Sequence, residues 1–439
     1  MPLSHDDAAH LLRRVGFAGL DAEIEHFAGR EVADAVDEIL ALTPSLPSRP
    51  AFARNRSVWP GIRDFRHWWM QRMIDASWVD RNAATPSPLV EKLTLFWHSH
   101  FATGASKVED LSTVYGQQHI LRDRGKGTFG DLLHAVCTDG AILSFLDNHL
   151  NTAYSPQENF ARELMELYTV GPTEFTEQDV IEMTRAWTGH GTIGWQGSNW
   201  NQTYRYYPDR HDNGPKTLFG QTANWNGPET LSLFTTGVKA QACARFLARK
   251  FWQFFVNDTP TDAQITTLAT ALGPTMDITA LLRAMLTDPA FWDSRYATVR
   301  SPIEFVVDVL RRTGVRSEDS GIEWQMDGMG QGLFAPPSVA GWGVNGHWVN
   351  TKVAWGKARF VNGLRWNEDY HQRFDDILDE PDAAAAVDRM LAYFGIGWAS
   401  PETRSALAQL WRSHGRRHQW AAKHNIIIAA TMSPEFQVA

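Results

Sequence analysis

Four groups of residues have the types and spacing that chemistry needs. The first is Phe96-Trp97-His98-Ser99-His100-Phe101. Paired histidines hold metal ions, and a lone one serves as acid, base or anion donor. Two residues apart on a helix is about 200°, so His98 and His100 share a site only at a frayed end or in an extended segment. The structural reading is two histidines closing a helix end by bonding its carbonyls. The second group is Asp147-Asn148 followed by Glu158 to Tyr168. On an α-helix Asn159, Glu163 and Glu166 form one stripe beside the apolar stripe of Phe160, Leu164, Leu167 and Tyr168. A carboxyl at the margin of an apolar stripe resists ionisation, as a general acid must. The structural reading is a solvated face carrying an Arg162–Glu166 pair.

The third group is His211, Asp212 and Lys216 in RHDNGPK, with His190 upstream between two glycines. It reads as a ligand loop or as a plain Asp-Asn-Gly turn. The fourth is Trp342, Asn345, His347, Trp348 and Asn350, after Pro336-Pro337. Indoles interleaved with amides suit a sugar ring and its hydroxyls, or else the loop packs its tryptophans inward.

These groups support three functions. A glycan hydrolase needs paired carboxyls and aromatic platforms. Asp147, Glu163 and Glu166 supply the first, and Trp97, Trp342 and Trp348 the second. Asn148, Asn159 and Asn350 would bind hydroxyls, with His190, His211, Asp212 and Lys216 as further substrate contacts. A metal enzyme would set a divalent ion on His98, His100 and Glu163, with His190 or His211 able to replace one ligand. A non-catalytic companion of another protein would use the same Trp-rich loops for docking. The hydrolase leads, and the one cofactor the sequence suggests is the divalent ion of the metal reading. No GxGxxG following a strand, Walker A loop, HExxH or GxSxG is present, which disfavours dinucleotide, nucleotide, zincin and α/β-hydrolase chemistry.

The elements that must position these residues are mostly helical. Apolar periodicity predicts helices over 5–14, 20–43 with an interruption at Gly29, 61–79, 88–101, 112–122, 128–138, 157–170 and 176–188. It resumes over 229–235, 238–256, 261–272, 277–287, 301–314, 351–363, 382–394, 401–414 and 417–431. Ser4 is placed to cap the first helix. Residues 44–56 read as a Pro-rich linker. Two long Gly/Trp/Asn-rich stretches break the pattern. Residues 189–229 include the alternation Tyr204-Arg205-Tyr206-Tyr207 and read as a small β-hairpin insertion, and 328–350 as an irregular loop. The expected architecture is mostly α: a helical part over 1–188, the insertion, and a helical part over 230–439, in one continuous body.

Composition sets the limits. Apolar residues are 43% and charged residues 21% of the 439, which excludes disorder. The net charge of −9 argues against a broad nucleic-acid surface. No apolar run reaches the length of a membrane span. Nineteen tryptophans are several-fold above ordinary usage, and most are expected in the core. Cys137 and Cys243 lie in apolar helical stretches and read as two buried thiols. Arg13-Arg14 resembles a twin-arginine export signal, but acidic amphipathic sequence follows it instead of an apolar stretch. The expectation is a cytoplasmic chain, or one exported with a signal-bearing partner.

Together the motifs FWHSHFAT (96–103), LDN (146–148), ENFARELMELYTVG (158–171), RAWTG (185–189), HDNGPKTLFG (211–220), ARFLARKFWQFFV (244–256), SPIEFVV (301–307) and PPSVAGW (336–342) carry a resemblance. From HLLRRVGF at 10–17 onward, the chain resembles the bacterial family called domain of unknown function 1800. It departs from that pattern at His190, Ser338 and Gly343-Val344-Asn345. Members tend to be encoded beside proteins of the domain of unknown function 1501 family, which resemble sulfatases and phosphatases. The resemblance thus implies a partner protein of that kind, and it implies no particular chemistry.

Overall fold

A computed structural model describes residues 2–54, 59, 61–196, 199–367, 370, 374, 380, 382–413 and 419–439. It is mostly α, with two small antiparallel hairpins. The first helix, His5–Val15, opens on a reciprocal cap in which Ser4 and Asp7 satisfy each other's backbone N–H. The 20–43 region splits into Asp21–Phe27 and Val32–Leu40. Gly29 between them has φ 81°, a left-handed turn that a side chain would strain. The linker has one short turn, Phe52–Arg54, and its last two residues lie outside the described ones.

Periodicity missed five short helices: Ala105–Val108, Gly140–Phe145, Pro289–Asp293, Ile322–Met329 and Pro434–Gln437. Helices of eight residues or fewer carry too few positions to show a period. In the insertion, His190–Gln196 pairs with Asn199–Tyr206, with a register shift between Thr192 and Gly194. A second hairpin, Lys216–Leu218 with Gln221–Ala223, was not anticipated.

Two apolar cores organise the chain, and they do not follow chain order. The first draws on residues 3–42, 78, 89–101 and 121–292. The second joins residues 53–73 and 105–115 to residues 303–436. The helix Pro88–His100 stands between them: Leu89, Leu93, Phe96 and Trp97 enter the first core and Leu95 the second. Such a helix is buried nearly all round, and Glu91, Lys92, Thr94, His98 and His100 are buried on it beside the apolar residues.

Most described tryptophans are core residues, with Trp69, Trp78, Trp97, Trp187 and Trp252 fully buried. Trp59, Trp355, Trp366 and Trp398 are exposed. Cys137 and Cys243 are buried free thiols, and burial pushes both thiols up. Among the described residues no helix is long and apolar enough to cross a membrane.

Candidate functional site

The helix that begins at Asn159 changes form partway. Asn159–Glu163 is α and Leu164–Thr169 is π. The Val170 N–H donates to the Met165 carbonyl five residues back at 3.0 Å, and the Thr169 hydroxyl takes the Leu164 carbonyl at 2.6 Å. A π turn is rare and tends to mark functional positions. Its effect here is to regroup side chains. Residues five apart do not meet on an α-helix, but the wider turn brings Tyr168 within electrostatic reach of Glu163. The expected α stripe of Asn159, Glu163 and Glu166 therefore ends at Glu163. Nor does Arg162 pair with Glu166; it holds Glu158 at 3.2 Å and Glu177 at 2.7 Å.

Glu163 is left half-buried and has no hydrogen-bond partner among the described residues. Burial raises its pKa, the neighbouring Glu166 raises it further, and Arg162 opposes only weakly because its charge is engaged elsewhere. Below it the Tyr168 hydroxyl is fully buried and without a partner, and burial followed by the Glu163 charge pushes it well up. Beside them, the His100 Nε2–H donates to the Tyr168 carbonyl at 3.1 Å. This fixes the tautomer and leaves Nδ1 as an acceptor, buried and unpartnered. Burial, with Lys250 nearby, pushes His100 down to about 3, so the ring is neutral.

The structure does not bring His98 to this place. Its Nε2 accepts the Phe334 N–H at 3.1 Å, and its ring lies between Trp69 and Phe334 of the second core and Trp342, which belongs to a small separate cluster with Trp348 and Val353. His100 faces the first core, against Phe101 and Tyr168. The helix stays regular through His100, so the 200° separation holds and the two rings serve opposite cores. Among the described residues no three His, Cys, Asp or Glu side chains converge as metal ligands do.

The remaining candidates hold the scaffold. Asp147 pairs with Lys107 at 2.8 Å, away from Glu163. The Asn148 amide donates to the carbonyls of Trp187 and His190, and Asn159 to the Leu146 carbonyl at 3.4 Å. His190 Nδ1 meets the Tyr204 hydroxyl at 2.9 Å, and His211 Nδ1 donates to the Thr188 carbonyl at 2.8 Å. Asp212 takes a two-point grip from Arg185, which holds its carboxyl low, and Lys216 donates to the Asp212 carbonyl. The RHDNGPK stretch is thus closed on itself. A stacking platform needs an exposed ring face, which Trp97, Trp342 and Trp348 lack. Asn350 caps the helix Thr351–Gly363 by accepting the Val353 N–H at 3.0 Å.

Sequence reasoning passed over Asp139. It edges an open cleft of about 520 Å³ lined also by Tyr115, His119 and Tyr204. Burial raises its carboxyl to about 7 against the pull of backbone N–H groups. Its job there is visible: it caps Gly140–Phe145, accepting the Ala141 N–H at 3.1 Å. Asp139 before an apolar hexapeptide was the available signal.

A family model described as "Protein of unknown function (DUF1800)" matches residues 10–438. No curated protein and no solved structure matches the chain.

Proposed function

The chain belongs to the DUF1800 family, and on that premise we propose that it is an acid–base hydrolase acting on glycans, with Glu163 as proton donor. The observation that carries this reading is Glu163 itself: half-buried, unpaired, raised in pKa and seated where the helix turns π. Burial and the repulsion of the neighbouring Glu166 charge both raise the pKa of Glu163, which suits it to donate a proton. Glu163 takes the proton and gives it to the leaving oxygen; Glu166 acts as the base or nucleophile. Tyr168 stays protonated under the pair. His100 is a positioning residue, anchoring the π turn through the Tyr168 carbonyl.

A polymer substrate finds support at a second place. Trp355 and Trp366 are 69% and 79% exposed, with exposed Arg359 between them. Trp355 lies on the α-helix Thr351–Gly363 and Trp366 ends the 3-10 turn Leu364–Trp366 that continues it, roughly 18 Å farther along the axis and about 80° round it. Exposed flat rings suit the faces of sugars. The same exposed rings favour the second reading, a non-catalytic companion that docks another protein there.

The test is hydrolysis of a panel of nitrophenyl glycosides and soluble polysaccharides by the parent chain and Glu163→Gln. The expected result is turnover by the parent and a loss of about 10²-fold or more in the variant, as removal of a general acid gives. Turnover unchanged in Glu163→Gln would remove Glu163 from the chemistry. No turnover, together with protein binding lost in Trp355→Ser, would favour the companion.

A further inference from the structure

Charge is unevenly spread along this acidic chain. It has 50 Asp and Glu against 41 Lys and Arg, yet residues 328–367 contain no acid at all. That stretch carries Lys352, Lys357, Arg359 and Arg365, and acids resume at Glu368. Lys357 is buried and spent on the Arg300 carbonyl and the Gln437 side chain, both at 2.8 Å. Lys352 and Arg359 are exposed, and neither has an ion pair or hydrogen bond among the described residues.

The helix Thr351–Gly363 sets where they stand. Val353, Lys357, Phe360 and Val361 turn to the interior. Lys352, Trp355, Arg359 and Gly363 are exposed, and at about 100° per residue they fall within an arc of about 80°. The 3-10 turn Leu364–Trp366 advances by about 120° per residue, which brings Trp366 into the same arc. The order along this line is cation, indole, cation, indole, over roughly 22 Å. The Arg365 guanidinium lies 4.6 Å from the centre of the Trp366 ring, which steadies that indole and adds positive charge beside it.

The neighbouring helices offer this line no spare carboxylate. Pro302–Thr313, Ile322–Met329 and Gln419–Thr431 pack against Thr351–Gly363. On the first, Glu304 pairs with Lys92, and Asp308 with Arg300 and Arg312. On the second, Glu323 takes Arg63 at 3.3 Å and His67 at 3.1 Å, and Asp327 takes Arg66 at 2.9 Å. The third has no acid in its sequence.

We propose that this line binds an anionic glycan, a chain of uronate or sulfated sugars. The inference rests on the glycan reading above and adds the charge of the substrate. The indoles of Trp355 and Trp366 take the flat faces of sugar rings, and Lys352 and Arg359 take the carboxylate or sulfate groups. A narrow line of alternating cation and indole suits a linear polymer. A lipid surface calls for a broad apolar face turned outward, and the apolar face of this helix is turned inward.

The experiment is titration calorimetry of the full chain with oligogalacturonate, dextran sulfate and neutral dextran of matched length, at low and at high salt. At least one anionic chain should bind about tenfold tighter than dextran, the product of two cations worth about threefold each, and should lose that margin at high salt. The two anionic arms distinguish carboxylate from sulfate. Arg359→Gln should weaken anionic binding about threefold and leave dextran unchanged, and Trp355→Ser should weaken it about tenfold. Both positions are exposed, so the Tm of each variant should match the parent. Dextran binding as tight as the anionic chains, no binding of either anionic chain, or affinity indifferent to salt and to Arg359→Gln would each overturn the proposal. So would tighter binding of oligothymidylate or of phosphatidylglycerol vesicles, which would give the line to single-stranded nucleic acid or to a membrane. The two readings fail separately. Anionic binding without turnover of any glycan removes the hydrolase and keeps this line. Turnover of neutral glycans, lost in Glu163→Gln, with no binding of anionic ones keeps the hydrolase and removes it.

Discussion

Glu91 and Glu163 sit on helices among apolar neighbours and end in opposite states. Glu91 is wholly buried. One of its oxygens takes Arg72 at 3.0 Å and Arg122 at 2.9 Å; the other takes Arg122 and the Trp69 indole, both at 2.9 Å. Burial pushes its pKa up, but Arg122 and Arg72 overcome that, and the carboxyl stays below the ordinary glutamate range. Glu163 is less buried, yet its pKa rises: burial and then the Glu166 charge push it up, and Arg162, engaged with Glu158 and Glu177, opposes them least. Partners as well as depth decide which way a glutamate's pKa moves.

The contrast breaks most visibly at Glu91. Glu91→Gln leaves two buried guanidinium groups without their counter-charge and should cost about 3–5 kcal/mol. Urea unfolding of the variant measures this, and a loss under about 1 kcal/mol would show that Arg72 and Arg122 find other acceptors. Next in size is His98→Ala. It empties the space between Trp69, Phe334 and Trp342 and orphans the Phe334 N–H, at roughly 2–4 kcal/mol. A loss near zero in the same assay would mean the 333–342 loop is held by other contacts.

The smallest effect sharpens the comparison. Glu163→Gln should change stability by no more than about 0.5 kcal/mol at neutral pH. Its pH dependence should run opposite to that of Glu91. A carboxyl lowered by folding contributes stability above its unfolded value, about 4.3, and loses it as pH falls. A carboxyl raised by folding costs stability as pH climbs from about 4.3 through its higher folded value. Relative to the parent, Glu163→Gln should therefore gain stability over that climb. Parallel parent and variant curves across pH 4–7 would show that Glu163 ionises normally.

Much of the helical frame was readable from period and caps. Ser4-His5-Asp6-Asp7 announced a helix start and is one. The His98–His100 separation was readable too, since spacing alone puts them on opposite faces of a regular helix. The π turn was not. Its sequence, LMELYT, keeps a tolerable α period, and the five-residue bonds at Leu164 and Met165 follow from packing of Tyr168 and Thr169 in the core. The approach of Trp342 to Arg14 around one small cavity was equally hidden, because more than three hundred residues of chain separate them. The tryptophan-rich loops invited a surface reading. Trp342 and Trp348 instead point inward, since an indole gains more from burial than a loop loses by folding over it.

The helix Pro88–His100 has a consequence for how the chain is made. Its second-core face, with Leu95, and the helix Gly61–Asp75 beside it pack onto residues from 303 onward. At ribosomal speeds of roughly 5–20 residues per second, that partner emerges about 10–40 s after residue 115. Throughout that interval Phe65 and Trp69 have Phe52, His98 and Tyr115 but lack Phe334, so part of their surface stays uncovered. The first core can close in the meantime, since all its members lie before residue 293. Synthesis thus presents a half-built molecule with one finished side and one sticky side, a natural client for a chaperone until the C-terminal helices arrive.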